Sequence, residues 1–146
     1  TACSSDDDNK NDSQAKLYAI EEHVAQVEGE FLRNLTDKGE SFVIVGRLSS
    51  HLFRRHPNHI AIFVLADHED KVKSVMAREN VSEREAEEMM RYNDFKRKNY
   101  HNSYSDVKWG DSRGYDICIN SSRLGIEGTT EYLKDYVNRR IKEMEK

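Results

Sequence analysis

From Leu17 the apolar positions Leu17, Ile20, Val24, Val27, Phe31 and Leu35 alternate steps of three and four, the spacing of one stripe along a helix. Ser13 is placed to cap its start and Gly39 to end it. Phe42-Val43-Ile44-Val45, closed by Gly46, is a short run with β-branched residues, the pattern of a strand buried on both faces of a parallel sheet. Pro57 interrupts a short helical segment, and Ile60-Ala61-Ile62-Phe63-Val64-Leu65 predicts a second buried strand. Asp67 is a plausible N-cap, with Asp70 three residues on, for a helix turning Val72, Val75 and Met76 inward. Ser82 and Glu85 form an S-x-x-E capping box that starts another helix carrying Ala86, Met89 and Met90, so two helices meet near Asn80. Tyr115-Asp116-Ile117-Cys118-Ile119-Asn120 predicts a third strand, followed by a helix with Ile126, Thr130, Leu133, Val137 and Ile141 inward.

Strands alternating with helices argue an α/β fold with a mostly parallel sheet. Between the last helix pair and the third strand, Asn99 to Gly114 lacks periodicity and is rich in Tyr, Ser, Asp and Gly, which reads as a mobile loop of the length usually reserved for function. The domain is expected over residues 13–146, with a flexible acidic segment at 1–12 and a lid segment at about 91–114.

The chain has 146 residues, 36% hydrophobic and 34% charged, enough for one domain with its own core. The longest apolar stretch, Ile60 to Ala66, is far below the roughly 18 residues of a membrane span. A net charge of −4 disfavours nucleic-acid binding over the whole surface and leaves local clusters to be weighed. Cys3 and Cys118 have neither a metal spacing nor a disulfide framework, which fits a reducing, cytoplasmic setting, and Cys118 reads as an inert core thiol. The segment Thr1-Ala2-Cys3-Ser4-Ser5 partly resembles the end of a bacterial lipoprotein signal; without a hydrophobic stretch it reads as a solvated loop.

In open parallel sheets ligands sit beyond the carboxyl ends of the strands. Those positions are polar here: Gly46-Arg47, then Asp67-His68, then Asn120-Ser121-Ser122-Arg123. Gly46 permits close backbone approach and Arg47 can grip a phosphate bidentately, although the same arginine would serve as a surface cap. Arg91-Tyr92-Asn93-Asp94-Phe95-Lys96-Arg97-Lys98-Asn99-Tyr100 is a basic, aromatic helix end in which Asp94 and Arg97 are neighbours. It suits a phosphate-clamping lid, a platform for single-stranded nucleic acid, or a solvated helix face. His51, His56 and His59 share no helix face across Pro57 and have no cysteine partner, so no metal site is read there.

The ordered set Val43-Ile44-Val45-Gly46-Arg47, Phe63 to Asp67, Val81 to Glu87, Asp94 to Tyr100, Trp109-Gly110-Asp111 and Tyr115 to Ser122 resembles the cytidylate-kinase-like family of P-loop nucleoside monophosphate kinases, collinearly over about residues 11–137. The resemblance implies a three-layer P-loop kinase-like fold with a parallel sheet, and transfer of the ATP γ-phosphoryl group, with Mg²⁺, to CMP, dCMP or a related monophosphate. It places Arg97 and Lys96 as lid cations on the transferring group and Asp94 as their orienting carboxylate. Gly46, Arg47 and Arg91 would lie on the acceptor side, and Ser121, Ser122 and Arg123 near the base of the donor. No G-x-x-x-x-G-K-[ST] loop occurs in these residues, so a preceding strand, phosphate loop and helix are expected in the natural protein, and these 146 residues alone are expected to be inactive. Leu48 stands where cytidylate kinases proper carry an acidic residue, which leaves the acceptor base open. Small-molecule nucleotides are the expected partners, with no membrane, nucleic acid disfavoured, and a homodimer as one way of covering the sheet. The rival readings are a non-catalytic nucleotide- or RNA-binding module and a tethered structural domain.

Overall fold

The computed structural model describes residues 22–46 and 49–146. Ser13, Leu17, Ile20, Cys3 with its acidic neighbours, Arg47 and Leu48 therefore lie outside the described residues. Two compact units divide the chain, Thr1–Ile44 and Val45–Lys146.

In the first unit, residues 22–37 form helix α1, and Gly39 ends it as expected. Its φ of +72° places it in the left-handed region that glycine enters freely, and its N–H reaches the Thr36 carbonyl at 2.9 Å. The strand expected at Phe42–Val45 does not form: residues 40–45 have no regular structure, and Val43 is 95% exposed. A β-branched run becomes a strand only when a neighbour completes its ladder, and the described residues contain none for it.

The second unit carries helix α2 (Ser49–Leu52), strand β1 (Ile62–Leu65), helices α3 (His68–Glu79) and α4 (Glu83–Tyr104), a 3₁₀ turn (Ser112–Gly114), strand β2 (Ile117–Asn120) and helix α5 (Gly125–Met144). β1 and β2 pair in parallel, with Ile62 opposite Ile117 and Leu65 opposite Asn120. A parallel pair requires a long crossover, supplied here by α3 and α4.

The described sheet is two strands wide, so the expectation of strands buried on both faces is corrected. Val64 and Leu65 are 52% and 41% exposed, and Cys118, expected inside, is exposed because it alternates outward between Ile117 and Ile119. Two strands cannot bury both of their faces and their open edges.

Helix α3 stops at Asn80, which takes the left-handed conformation at φ 54° and returns its N–H to the Met76 carbonyl. Two residues later Ser82 and Glu85 form the expected capping box, each side chain meeting the other's backbone N–H. Ala86 is fully buried on α4, and Val72 is buried on α3, which packs against it. His68 Nε2 meets Glu87 Oε1 at 2.6 Å across the same helix pair.

Two further expectations change. The segment from Asn99 is not a long loop, since α4 continues to Tyr104 with neither Gly nor Pro to stop it. The turn beyond is pinned: buried His101 engages the Val107 carbonyl at 2.9 Å, and the Trp109 N–H donates to Asn102 Oδ1 at 2.9 Å. On α5 the inner face is rotated from the one expected. Ile126 is 82% exposed and Ile141 is also exposed, while Thr129 is buried. Positions 126, 130, 133 and positions 129, 133, 136 satisfy the same helical spacing, and only the rotation of the helix decides between them.

The Trp-Gly-Asp motif has a packing role. Trp109 lies edge-on to Phe63 of β1, with centroids 5.8 Å apart. Gly110, at φ +79°, sits where an added Cβ would rest against the Phe63 ring. Asp111 opens the 3₁₀ turn, accepting from the Arg113 N–H and from Nε and Nη2 of its guanidinium. The Arg113 side chain, and next its backbone amide, hold the Asp111 carboxyl down at about 2. A carboxylate depressed in the folded state stabilises fully above its ordinary value of about 3.9 and loses that contribution as pH falls through its folded value. Urea unfolding between about pH 4 and pH 2 is therefore expected to show a shallower loss of stability for Asp111→Asn than for the wild type.

Candidate functional site

Both strands end in turns that are stitched to one another. The Ser121 N–H and Oγ both donate to the Leu65 carbonyl, at 2.8 and 3.0 Å. The Asp67 N–H donates to Ser122 Oγ at 2.9 Å, and the Ser122 N–H to Asn120 Oδ1 at 2.9 Å. Asp67 occupies the N-cap position of α3 but its side chain makes no capping bond. Its carboxylate instead accepts from Asn120 Nδ2 at 2.8 Å and from both terminal nitrogens of Arg123, at 2.8 and 3.2 Å. The Asn120 hydrogen bond, and then Arg123, keep this carboxyl below its usual range, so it stays ionised as the arginine's fixed partner. At the other end of the strand pair, Asp116 Oδ2 takes the Ala61 N–H at 2.6 Å. Much of the Tyr-Asp-Ile-Cys-Ile-Asn-Ser-Ser motif is thus occupied in holding two parallel strands in register.

Beside the β2–α5 turn, α3 and α4 enclose a cleft of about 500 Å³. Asp94, Arg97, Ser121 and Ser122, drawn from two separate sequence-predicted groups, share its lining. Val75, Met89 and Met90 supply its apolar wall. Arg91, Lys96, Arg123 and Gly46 are not on that lining; Lys96 Nζ lies 5.4 Å from the centroid of the Tyr92 ring.

The cleft also holds two cations that the sequence reading passed over, Lys71 and Arg78 of α3. Their signal was present: Lys71, Ser74 and Arg78 recur at steps of three and four, and all three line the cleft. Lys71 Nζ stands 3.7 Å from Asp94 Oδ2, and Arg78 Nε 2.8 Å from Glu79 Oε1. Arg97 makes no ion pair among the described residues, which leaves its planar fork of donors open to an anionic ligand. Three cations (Lys71, Arg78 and Arg97), three carboxylates (Asp70, Glu79 and Asp94) and three hydroxyls (Ser74, Ser121 and Ser122) line the cleft around an apolar wall, a mixed polar lining that can orient a phosphorylated molecule with a flat apolar part. Among the described residues no three His, Cys, Asp or Glu side chains converge as a metal-binding group.

The cleft lies beside the carboxyl ends of two parallel strands, the place where open α/β sheets hold their ligands. The model of the cytidylate kinase-like family matches residues 5–123, and the chain belongs to that family. No curated protein matches the chain. Among solved structures, an uncharacterized protein from Eubacterium ventriosum ATCC 27560 is similar at 42% identity and a TM-score of 0.73, covering 76% of this chain. The match spans 63% of the length of that protein's chain. Among the described residues no helix is long and apolar enough to cross a membrane.

Proposed function

We propose that the protein is a nucleoside monophosphate kinase, transferring the γ-phosphoryl group of ATP to CMP, dCMP or a related monophosphate. The observation that carries this reading is the convergence of Arg97, Lys71 and Asp94 with the Ser121-Ser122 turn on one cleft beside the strand ends. Phosphoryl transfer asks a protein mainly to position two substrates and to neutralise charge on the oxygens in flight. Arg97, without a carboxylate partner among the described residues, supplies the neutralising fork. Asp94 tethers Lys71 across the two helices, so that this ammonium is held over the cleft with less freedom to lose on binding. The apolar wall of Met89, Met90 and Val75 suits the face of a base.

The reading includes the three-layer P-loop kinase-like fold and a requirement for ATP with Mg²⁺. Mg²⁺ keeps several waters and binds through one or two carboxylates plus substrate phosphates, and Asp70, Glu79 and Asp94 are the carboxylates of the cleft lining that would hold it. When bound, it would screen the phosphate charges, leaving orientation to the protein's own residues. Full-length protein incubated with ATP, Mg²⁺ and each of the ribo- and deoxyribonucleoside monophosphates is expected to form ADP and the matching diphosphate, with a cytidine acceptor among those used. ADP formation no faster with any monophosphate than without one would end this reading.

A further inference from the structure

Helix α4 has an outward face that the cleft does not use. Asp94 and Arg97 line the cleft, whereas Glu88, Tyr92, Phe95, Lys96 and Asn99 follow one another at helical spacing on another side and are all exposed. Tyr92 and Phe95 are 62% and 64% exposed, well beyond what a well-buried aromatic shows. Net charge is divided along the same helix: Glu83, Glu85, Glu87 and Glu88 outnumber Arg84 and Arg91 in its first half, where Arg84 Nε reaches Glu88 Oε1 at 3.3 Å, and Lys96, Arg97 and Lys98 outnumber Asp94 in its second. The middle is aromatic, one half acidic and the other basic, which makes the face complementary to itself when turned end for end.

We propose that α4 packs antiparallel against α4 of a second copy of this chain, about a two-fold axis passing near Tyr92. A two-fold interface uses the same patch on both subunits, so each end must meet the other end of its twin. Glu88 and Lys96 each lie one helical turn from Tyr92, on opposite sides, which brings Glu88 opposite the partner's Lys96 and the partner's Glu88 opposite Lys96. Tyr92 and Phe95 fill the centre, where buried aromatic rings contribute most to association. The same charge division disfavours a nucleic-acid strand along this face, because the glutamates of the first half would repel its phosphates. One pair of helices is small beside the roughly 800 Å² per partner of a standard interface, so the dimer is reversible and concentration-dependent.

Sedimentation velocity of the full-length protein over a wide concentration range tests the proposal. The wild type is expected to pass from monomer to dimer. Glu88→Lys and Lys96→Glu are each expected to weaken association at least about tenfold by setting like charges face to face, and the double variant Glu88→Lys/Lys96→Glu to regain it. Phe95→Ser should weaken association without lowering the melting temperature measured at concentrations where the protein is monomeric, since the ring is exposed in the monomer. A wild type that stays monomeric at its highest soluble concentration overturns the proposal. So does a dimer indifferent to both single changes, or a double variant that does not recover. Tight binding of a single-stranded RNA by a monomeric wild type, abolished by Lys96→Glu, would assign the face to nucleic acid instead.

Discussion

Replacing Arg97 by alanine in the full-length protein is expected to lower kcat for phosphoryl transfer by about a hundredfold or more, with a smaller change in KM. Arg97 lines the cleft without a carboxylate partner among the described residues, so its charge is not already neutralised before a phosphate arrives. Contacts that strengthen as charge develops in flight are felt in kcat rather than in ground-state binding. Arg97→Lys keeps the charge but loses the two-pronged geometry, and an intermediate kcat is expected. The side chain is exposed, so unfolding in urea should be little changed and the loss attributable to the site. Steady-state rates with saturating ATP and varied monophosphate provide the measurement. A kcat within about threefold of wild type for Arg97→Ala would remove this arginine from the chemistry.

The largest stability effect is expected from Ala86→Asp. Ala86 is the one described hydrophobic residue with no exposure at all, and it sits on the helix that packs against α3. A carboxylate placed there has no partner and little water, and a buried unpaired charge is among the few single changes that cost more than about 3 kcal/mol. A domain of ordinary stability would lose a large share of its margin. Ala86→Gly separates propensity from burial, because it adds no charge and costs only about 1 kcal/mol in a helix interior. Midpoints of urea unfolding for the two variants give the comparison. Equal midpoints would mean that the helix pair tolerates a charge, and that the buried contact is looser than it stands here.

These two residues were not equally visible in the sequence. Ala86 could be read as inward-facing from the capping box at Ser82 and Glu85, which fixes where α4 starts and hence which positions share its inner stripe. Arg97 was recognisable as a cation near Asp94, yet the carboxylate it was expected to share is engaged by Lys71, a residue from a different helix. Spacing along one helix reports neighbours on that helix and says nothing about a competitor arriving from another. Asp67 shows the same limit: its place at the start of α3 was legible, while its real partners, Asn120 and Arg123, come from the turn after β2.

Local chemistry determined the capping box at Ser82, the left-handed stop at Gly39, the meeting of two helices near Asn80, and the strand character around Ile62–Leu65 and Ile117–Asn120. Each depends on backbone preferences and hydrogen bonds within a few residues, which composition and spacing carry directly. Tertiary structure alone decided that Phe42–Val45 is not a strand, that Cys118 faces outward, that Ile126 rather than Thr129 is exposed on α5, and that Lys71 and Arg78 join Arg97 at one cleft. A strand exists only with a neighbour to complete its ladder, a helix face is inward only relative to what it packs on, and a site assembled from three elements exists only once their separation in sequence has been folded away.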